Sequence, residues 1–415
     1  MVEEVALSTM IGAPVYDESG KLAGHVREVA ISPREDPSRV SDLVVKTSEG
    51  DRLLSTRLLS SVEARLVRAK GKPDEWPPLV SSEGMLLLER DLLDQQIIDI
   101  NGRKVVRVND VDLHPEPVNG SLKLKIGQVD VGLRGAVRRL LKGLAPTKAI
   151  EALASRMPER AIPWEAVDLI ETDPARRVKL RIEHARLSRL HPADIADILE
   201  ELGPAERGAV FESLDEEVAA QALEEIDRKM QVSMVEGMDS ERAAGIVEEM
   251  HPDAAADLLG ELPSGTSEGI LEEMQPEERE EVQELLEYAE NTAAGRMTTD
   301  FLSFSPHATV ADAIDALREF DGGKETLNTL YLVDKDDRLV GSVPLANIVL
   351  AEAETELAGL VSGEVISCPA QANEEQAAEL FDKYNLLMLP VVDTESKLIG
   401  IITADDVIAM LRRAQ

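Results

Sequence analysis

The chain is poor in cysteine, in basic side chains and in long apolar runs, and each shortage removes a class of protein. Cys368 is its only cysteine, so neither an intrachain disulfide framework nor a thiolate zinc site can be built. Its flanks, Ser367 and Pro369, follow an apolar run, which suits a buried or edge thiol. Basic residues number 44 against 80 acidic ones, a formal net charge of −36. Such a surface repels phosphate backbones and anionic lipid, which argues against nucleic-acid and peripheral membrane binding, and it concentrates cations. Solubility or adaptation to salt is the alternative account of the acidity. No apolar stretch approaches the roughly 20 residues that cross a bilayer. The longest, around 386–392 and 398–402, are strand-length and broken by charge. The opening residues MVEEVALSTM lack the basic-then-apolar order of a signal peptide. The expectation is a cytoplasmic chain with no direct membrane insertion.

No enzyme is expected either. The six histidines (His25, His114, His184, His191, His251 and His307) lie apart without metal-ligand spacing. No phosphate-binding loop, nucleophile elbow or zinc motif occurs. His191 and His251 precede proline at equivalent repeat positions, which suits capping or packing better than ligation.

At 415 residues the chain exceeds one ordinary core, so several domains are expected. The first 175 residues hold an internal duplication. Gly12-Ala-Pro-Val-Tyr-Asp-Glu-Ser-Gly20-Lys precedes His25-Val-Arg-Glu-Val-Ala-Ile31, and 82 positions later Asp94-Gln-Gln-Ile-Ile-Asp-Ile-Asn-Gly102-Arg precedes Arg107-Val-Asn-Asp-Val-Asp-Leu113. The pairs Asp17/Gly20 and Asp99/Gly102 sit between β-rich runs, as hairpin tips do. Further strands follow at 41–47 and 121–126, and 162–170 closes the second copy. Pro73, Pro77 and Pro78 mark a linker over 71–84. Two small β-barrels are predicted. The insertion Gly135-Ala-Val-Arg-Arg-Leu-Leu-Lys-Gly-Leu144 is basic and amphipathic; packing against the barrel is preferred over a membrane-surface helix.

From Leu190 the pattern is stricter. Apolar Leu190, Leu202, Leu214, Ile226, Met238, Met250, Leu262 and Met274 recur every 12 residues. Apolar pairs follow, such as Ile198/Leu199, Val210/Phe211, Ile246/Val247, Leu258/Leu259 and Ile270/Leu271. Helix starters stand after each lead position: His-Pro, Gly-Pro, Asp-Glu, Asp-Arg, Asp-Ser and Gln-Pro among them. Each unit is one helix too short to be stable alone, so stacking into an α-superhelix is predicted. The remainder reads as two βαββα-like units. Helix 309–318, strand 329–334 and strand 339–343 form the first, and helix 373–383, strands 388–393 and 398–403 and helix 405–412 form the second.

Three resemblances follow from these motifs. The duplicated β-rich copies resemble PRC-barrel domains, which implies a docking module. The paired apolar-Val-Asp turns followed by Leu339-Val-Gly-Ser-Val343 and by Leu398-Ile-Gly-Ile-Ile-Thr403 resemble CBS domains, which pair and bind adenine nucleotides or other regulators. With the 12-residue repeats and the junction Leu285-Leu-Glu-Tyr-Ala-Glu-Asn-Thr-Ala-Ala-Gly-Arg-Met-Thr-Thr299, the region from Leu180 to Gln415 resembles the cytosolic region of MgtE-type magnesium channels. In that family a pore of membrane helices follows the second CBS domain. The chain ends where that segment would begin, so a sensor without its gate is expected.

The predicted architecture is multidomain α+β. PRC-barrel-like domains occupy 1–72 and 84–175, an MgtE-type α-superhelical domain 180–292, and CBS domains 293–352 and 353–415. The resemblance implies Mg²⁺ held between acidic residues of the superhelix and of the CBS pair, closing a compact form. Carried over by motif, the ligands are Asp253 and Asp257 in His251-Pro-Asp-Ala-Ala-Ala-Asp257, Glu375 at a helix start, and Asp406 in Thr403-Ala-Asp-Asp406. Residues four apart share one helix face, so Asp253 and Asp257 can meet one hydrated ion; a solvated acidic face is the alternative. Asn373, Asn385 and Ala409 replace acids usual in the family, which implies weaker binding or fewer ions. Thr403 and Asp406 also match the phosphate- and ribose-contacting residues of CBS nucleotide sites, so ATP or another adenine nucleotide is a second candidate ligand. The first unit's Pro344 and Asn347 have lost both residue types. The expected function is a Mg²⁺-responsive sensor acting on a separate partner, with a membrane channel or transporter the candidate, and homodimerising through its CBS domains. An adenine-nucleotide regulator and a docking scaffold without ligand response are the alternatives.

Overall fold

Both Asp-x-x-Gly sequences close hairpins. Asp17 Oδ1 accepts the Ser19 and Lys21 amides at 2.9 and 3.0 Å, and Asp99 Oδ1 accepts that of Gly102 at 2.9 Å. Gly20 lies at φ +78°, where a side chain would be strained. The computed structural model describes residues 4–33, 36–63, 65–118, 121–140, 157–158, 160–170, 186–289, 291–320, 322–361 and 363–413. Its contacts divide the chain into two units, at Val218 and Ala219, within the helix Glu216–Glu225. Each is described by itself.

In the first unit the long strand Leu22–Ile31 lies between Pro14–Tyr16 and Val40–Thr47. Gly50–Ser55 extends the sheet on one side; Leu66–Ala69 and Leu59–Glu63 extend it on the other. The second copy forms two smaller sheets. One orders Val5–Ala6, Asp110–Val118, Ser121–Asp130 and Ala161–Pro163; the other orders Lys104–Arg107, Gln96–Asp99 and Val167–Leu169.

The sequence predicts two small barrels; among the described residues no closed barrel is seen, and the two copies exchange edge strands. Val5–Ala6 of the first copy pairs with Leu113 and Asp112 of the second, and Leu86–Leu87 of the second pairs with Ile31 and Ala30 of the first. One apolar core, from Val5 to Val167, is shared by both. The helix Leu133–Leu140 packs on Asp110–Val118, with Arg138 3.7 Å from Asp112. The packing alternative for this basic segment therefore describes its residues 135–140. Residues 141–144, and 171–185 at the domain boundary with His184, lie outside the described residues. The first two superhelical helices, Pro192–Glu201 and Pro204–Phe211, also belong to this unit. His191 Nδ1 accepts the Ala193 amide, a capping role.

In the second unit the 12-residue period becomes Arg228–Glu236, Ser240–Glu248, Pro252–Glu261, Ser264–Glu273 and Pro276–Leu286. Lead residues Ile226, Met250, Leu262 and Met274 are buried between helices. Asp227 and Asp239 cap their helices through the Lys229 and Glu241 amides. Stacking skips a neighbour: Pro252–Glu261 packs on Pro276–Leu286, and Ser240–Glu248 on Ser264–Glu273. A hydrogen bond repeats with that doubled period, for Glu224 accepts the His251 amide at 2.7 Å and Glu248 accepts that of Gln275. The structural repeat is thus two helices long.

Two three-stranded sheets follow, Ser303–Phe304, Thr329–Val333 and Leu339–Pro344, then Cys368–Pro369, Met388–Val392 and Leu398–Thr403. Each has one parallel and one antiparallel pairing. Tyr331, Met388 and Ile401 form a core between them. The junction before the first sheet is bound to the second: the Ala293 and Ala294 amides donate to the Ala372 and Ala370 carbonyls, and Thr298 exchanges two backbone bonds with Ile401. Gly400 admits this approach, since a Cβ there would lie 2.5 Å from Met297 Sδ. No helix among the described residues is long and apolar enough to cross a membrane.

Candidate functional site

The site is built where the superhelix meets the second CBS sheet, within the second unit. Pro252 starts the helix Pro252–Glu261 and so fixes Asp253 in its first turn. Opposite, the strand Leu398–Thr403 runs directly into the helix Ala404–Arg413, which puts Asp406 in that helix's first turn. Thr403 donates to Asp406 Oδ2 from its amide at 2.8 Å and its hydroxyl at 2.7 Å. Thr403 and Asp406 thus bond to each other in a helix cap, the arrangement that Thr309 and Asp312 repeat in the first CBS unit.

Asp253 and Asp406 are brought together. Burial, and then the negative charge of Asp406, push the Asp253 carboxyl up to about 7, against the pull of His251. Burial likewise raises Asp406, with Asp405 adding to the rise and the Thr403 hydrogen bonds and His251 opposing it. His251 sits beside both acids, its Nδ1 2.9 Å from Glu224 Oε2. Among the described residues, neither Asp253 nor Asp406 forms an ion pair with a lysine or arginine. Two carboxylates held together without a fixed cation suit a hard divalent ion that retains its own water. Among the described residues no group of three or more histidine, cysteine or acidic side chains could hold a metal ion. Such an ion would therefore have few protein ligands.

The other two acids carried over by motif are placed differently. Asp257 shares the Asp253 helix, but its Oδ2 accepts from Arg228 and, at 2.9 Å, from Arg296 Nη1. Arg228 also bonds Glu261 at 2.9 Å, and Arg296 Nε bonds Glu374 at 2.8 Å. Glu375 is exposed at the start of the helix Glu374–Tyr384, and its neighbour Glu374 reaches the junction instead. Asn373 caps that helix by accepting the Gln376 amide at 2.9 Å, and Asn385 ends it at φ +50°. Both asparagines thus have backbone work that explains them.

Reading the sequence missed Glu224 and the two arginines. A signal for Arg228 existed. Between Ala219 and Asn291 the only basic residues are Arg228, Lys229, Arg242 and Arg279, and Arg228 opens its helix, where the dipole disfavours a cation.

These features define a class: an α-helical repeat domain joined through a bound linker to a CBS pair. Residues 190–291 match the MgtE intracellular N domain, and residues 293–354 and 357–413 match the CBS domain. This part of the chain is an MgtE N domain followed by a CBS pair, the order of the cytosolic region of MgtE. The magnesium transporter MgtE of Thermus thermophilus is 34% identical over 136 residues, which cover 33% of this chain and 30% of that protein. The chain thus spans about a third of the length of that curated relative. The crystal structure of the soluble part of a magnesium transporter is similar over 57% of this chain and 92% of its own, at 28% identity and a TM-score of 0.53. The cytosolic domain of the Mg²⁺ channel MgtE in complex with ATP is similar over 56% and 94%, at 29% identity and 0.52.

Proposed function

We propose that the chain is a cytoplasmic regulatory protein without catalytic activity, and that Mg²⁺ between Asp253 and Asp406 holds the superhelix against the CBS pair. The observation that carries this reading is the pairing of those two carboxylates from separate domains, both raised in pKa and, among the described residues, neither ion-paired with a lysine or arginine. The ion supplies two positive charges and bound water. Asp253 and Asp406 position it; Thr403 orients Asp406, and Glu224 orients His251 beside them. Linkage sets the size of the response: a ligand that binds only the closed form, at a hundred times its Kd, stabilises that form by about 2.7 kcal/mol. The output goes to a separate partner, a Mg²⁺ channel or transporter, and the CBS pairs of two copies associate. The docking role of the duplicated first unit belongs to the same proposal.

Small-angle scattering of the full chain, titrated with MgCl₂ from a chelated state, tests it. The radius is expected to fall with Mg²⁺ in the native chain. Asp253→Asn should abolish that dependence. A native radius that ignores Mg²⁺ refutes the reading.

A second ligand is favoured by Thr403 and Asp406 standing together and by the similarity to a domain crystallised with ATP. Calorimetry with ATP, with and without Mg²⁺, is expected to show binding that Thr403→Val weakens. Absence of heat from the native chain rejects it.

A further inference from the structure

Asp257 does not fit a metal ligand in this chain. Its carboxylate meets two guanidiniums. They belong to a chain of charges, Glu261–Arg228–Asp257–Arg296–Glu374, which joins three parts of the second unit: two superhelical helices, the junction and the second CBS helix. The central side chains are largely shielded, with exposures of 23% for Arg228, 18% for Asp257 and 12% for Arg296. Shielding matters, because exposed ion pairs contribute little whereas charge-assisted bonds away from water are among the strong ones. Both arginines are held in place. Arg228 follows the Asp227 cap directly, and Arg296 lies on a junction whose backbone is bonded to the second CBS sheet at Ala293, Ala294 and Thr298.

From this geometry we infer that Arg228 and Arg296 are built-in cations that replace a divalent ion at Asp257 and hold the superhelix to the second CBS unit when Mg²⁺ is scarce. The inference rests on the proposed Mg²⁺ response and divides its interface into two parts. The Asp257 half closes permanently, through arginine; the Asp253–Asp406 half closes conditionally, through an ion. An arginine keeps its charge at any physiological pH and cannot dissociate from the protein. Such a fixed clamp limits how far the domains separate, and it limits how many ions one chain takes up.

The test compares the full-length native chain with R228Q/R296Q and R228K/R296K, first in chelator and then in MgCl₂. In chelator alone, hydrogen exchange across 252–261 and 374–384 should be about tenfold faster in the glutamine variant, and its scattering radius larger. The lysine variant, which keeps both charges, should stay close to native. With Mg²⁺, equilibrium dialysis should find the glutamine variant binding more ions than the native chain, because Asp257 and Glu374 are freed. Native-like exchange and radius for the glutamine variant in chelator overturn the inference. So does equal expansion of the lysine variant, which would mark lost packing rather than lost charge. The chelator comparison needs no Mg²⁺ response. A native chain that ignores Mg²⁺ therefore removes the proposed function, while these arms still decide the arginine clamp.

Discussion

Asp253 and Asp406 are both partly buried and the charge of Asp406 bears on Asp253, and that repulsion can be removed at one end. Asp253→Asn takes away one charge and leaves the Thr403–Asp406 cap intact. Asp406→Asn would also weaken that cap, worth typically ~1 kcal/mol. The Asp253 variant is therefore the cleaner probe. It is expected to be more compact in chelator than the native chain, with the closed form favoured by about 1–2 kcal/mol more, since one pKa unit is 1.36 kcal/mol. A scattering radius in chelator larger than the native one would contradict this. A buried acid in the first unit offers a second residue-scale test. Asp110 is fully buried and accepts from the Ser8 amide and hydroxyl, yet burial still raises its pKa. The folded state therefore holds this proton more tightly than the unfolded chain does. The charged form weakens the fold at neutral pH, and the penalty fades as pH falls through the raised folded value toward the ordinary 3.8. Relative to Asp110→Asn, the native chain should gain melting temperature as pH drops from about 7 toward about 4. A flat difference would show that Asp110 folds without a shift. Asp253 and Asp406 came from carrying the resemblance over residue by residue, and proline at a helix start and a strand running into a helix are the local features that place them in first turns. The arginine partners of Asp257 were not legible, because Arg228 and Arg296 come from other segments.

For the elements, the 12-residue period predicts one helix per repeat and an apolar pair buried on each, and the stacking modifies the second point. Helices pack on their next-but-one neighbours, so alternate helices meet different surroundings. In Ser264–Glu273, Ile270 is buried at 1% exposure while Leu271 is only half-buried. Ile270→Ala should therefore cost about 3 kcal/mol and Leu271→Ala about half of that or less, read from urea midpoints followed by helical circular dichroism. Equal losses would return the repeat to the single-helix period. The junction is tested at Gly400, where an added Cβ would also come within 3.0 Å of the Thr298 carbonyl. Gly400→Ala is expected to cost about 2 kcal/mol through overpacking and to speed hydrogen exchange at Ala293, Ala294 and Thr298. Unchanged exchange there would mean that the junction yields without loosening. No local pattern announces this site, since a glycine inside a strand reads equally well as a bulge.

At the scale of the molecule, the first unit carries its duplication into its packing. Glu28 accepts the Glu89 and Arg90 amides of the second copy at 2.8 and 3.1 Å, and Asp110, its counterpart 82 positions on, accepts the Ser8 amide of the first at 3.0 Å. Each copy thus caps the other's short helix, Leu88–Asp91 in one direction and Leu7–Met10 in the other, beside the strands that the copies exchange. The repeated motifs made the duplication visible. The exchange stayed hidden because an edge strand of two residues has no periodicity to read. With the strands, caps and apolar core all shared, neither half should fold alone. A fragment of residues 1–80 and one of residues 81–170 are each expected to lack dispersed amide resonances when expressed separately. Mixed or co-expressed, they should combine one to one and recover the dispersion of a folded domain. Glu28→Leu should weaken the recombined pair, because the Glu89 and Arg90 amides lose their acceptor while the shared core remains. A half that folds by itself as a monomer would show that the exchanged strands are ornament on a separate domain, and would restore the two-body reading of this region.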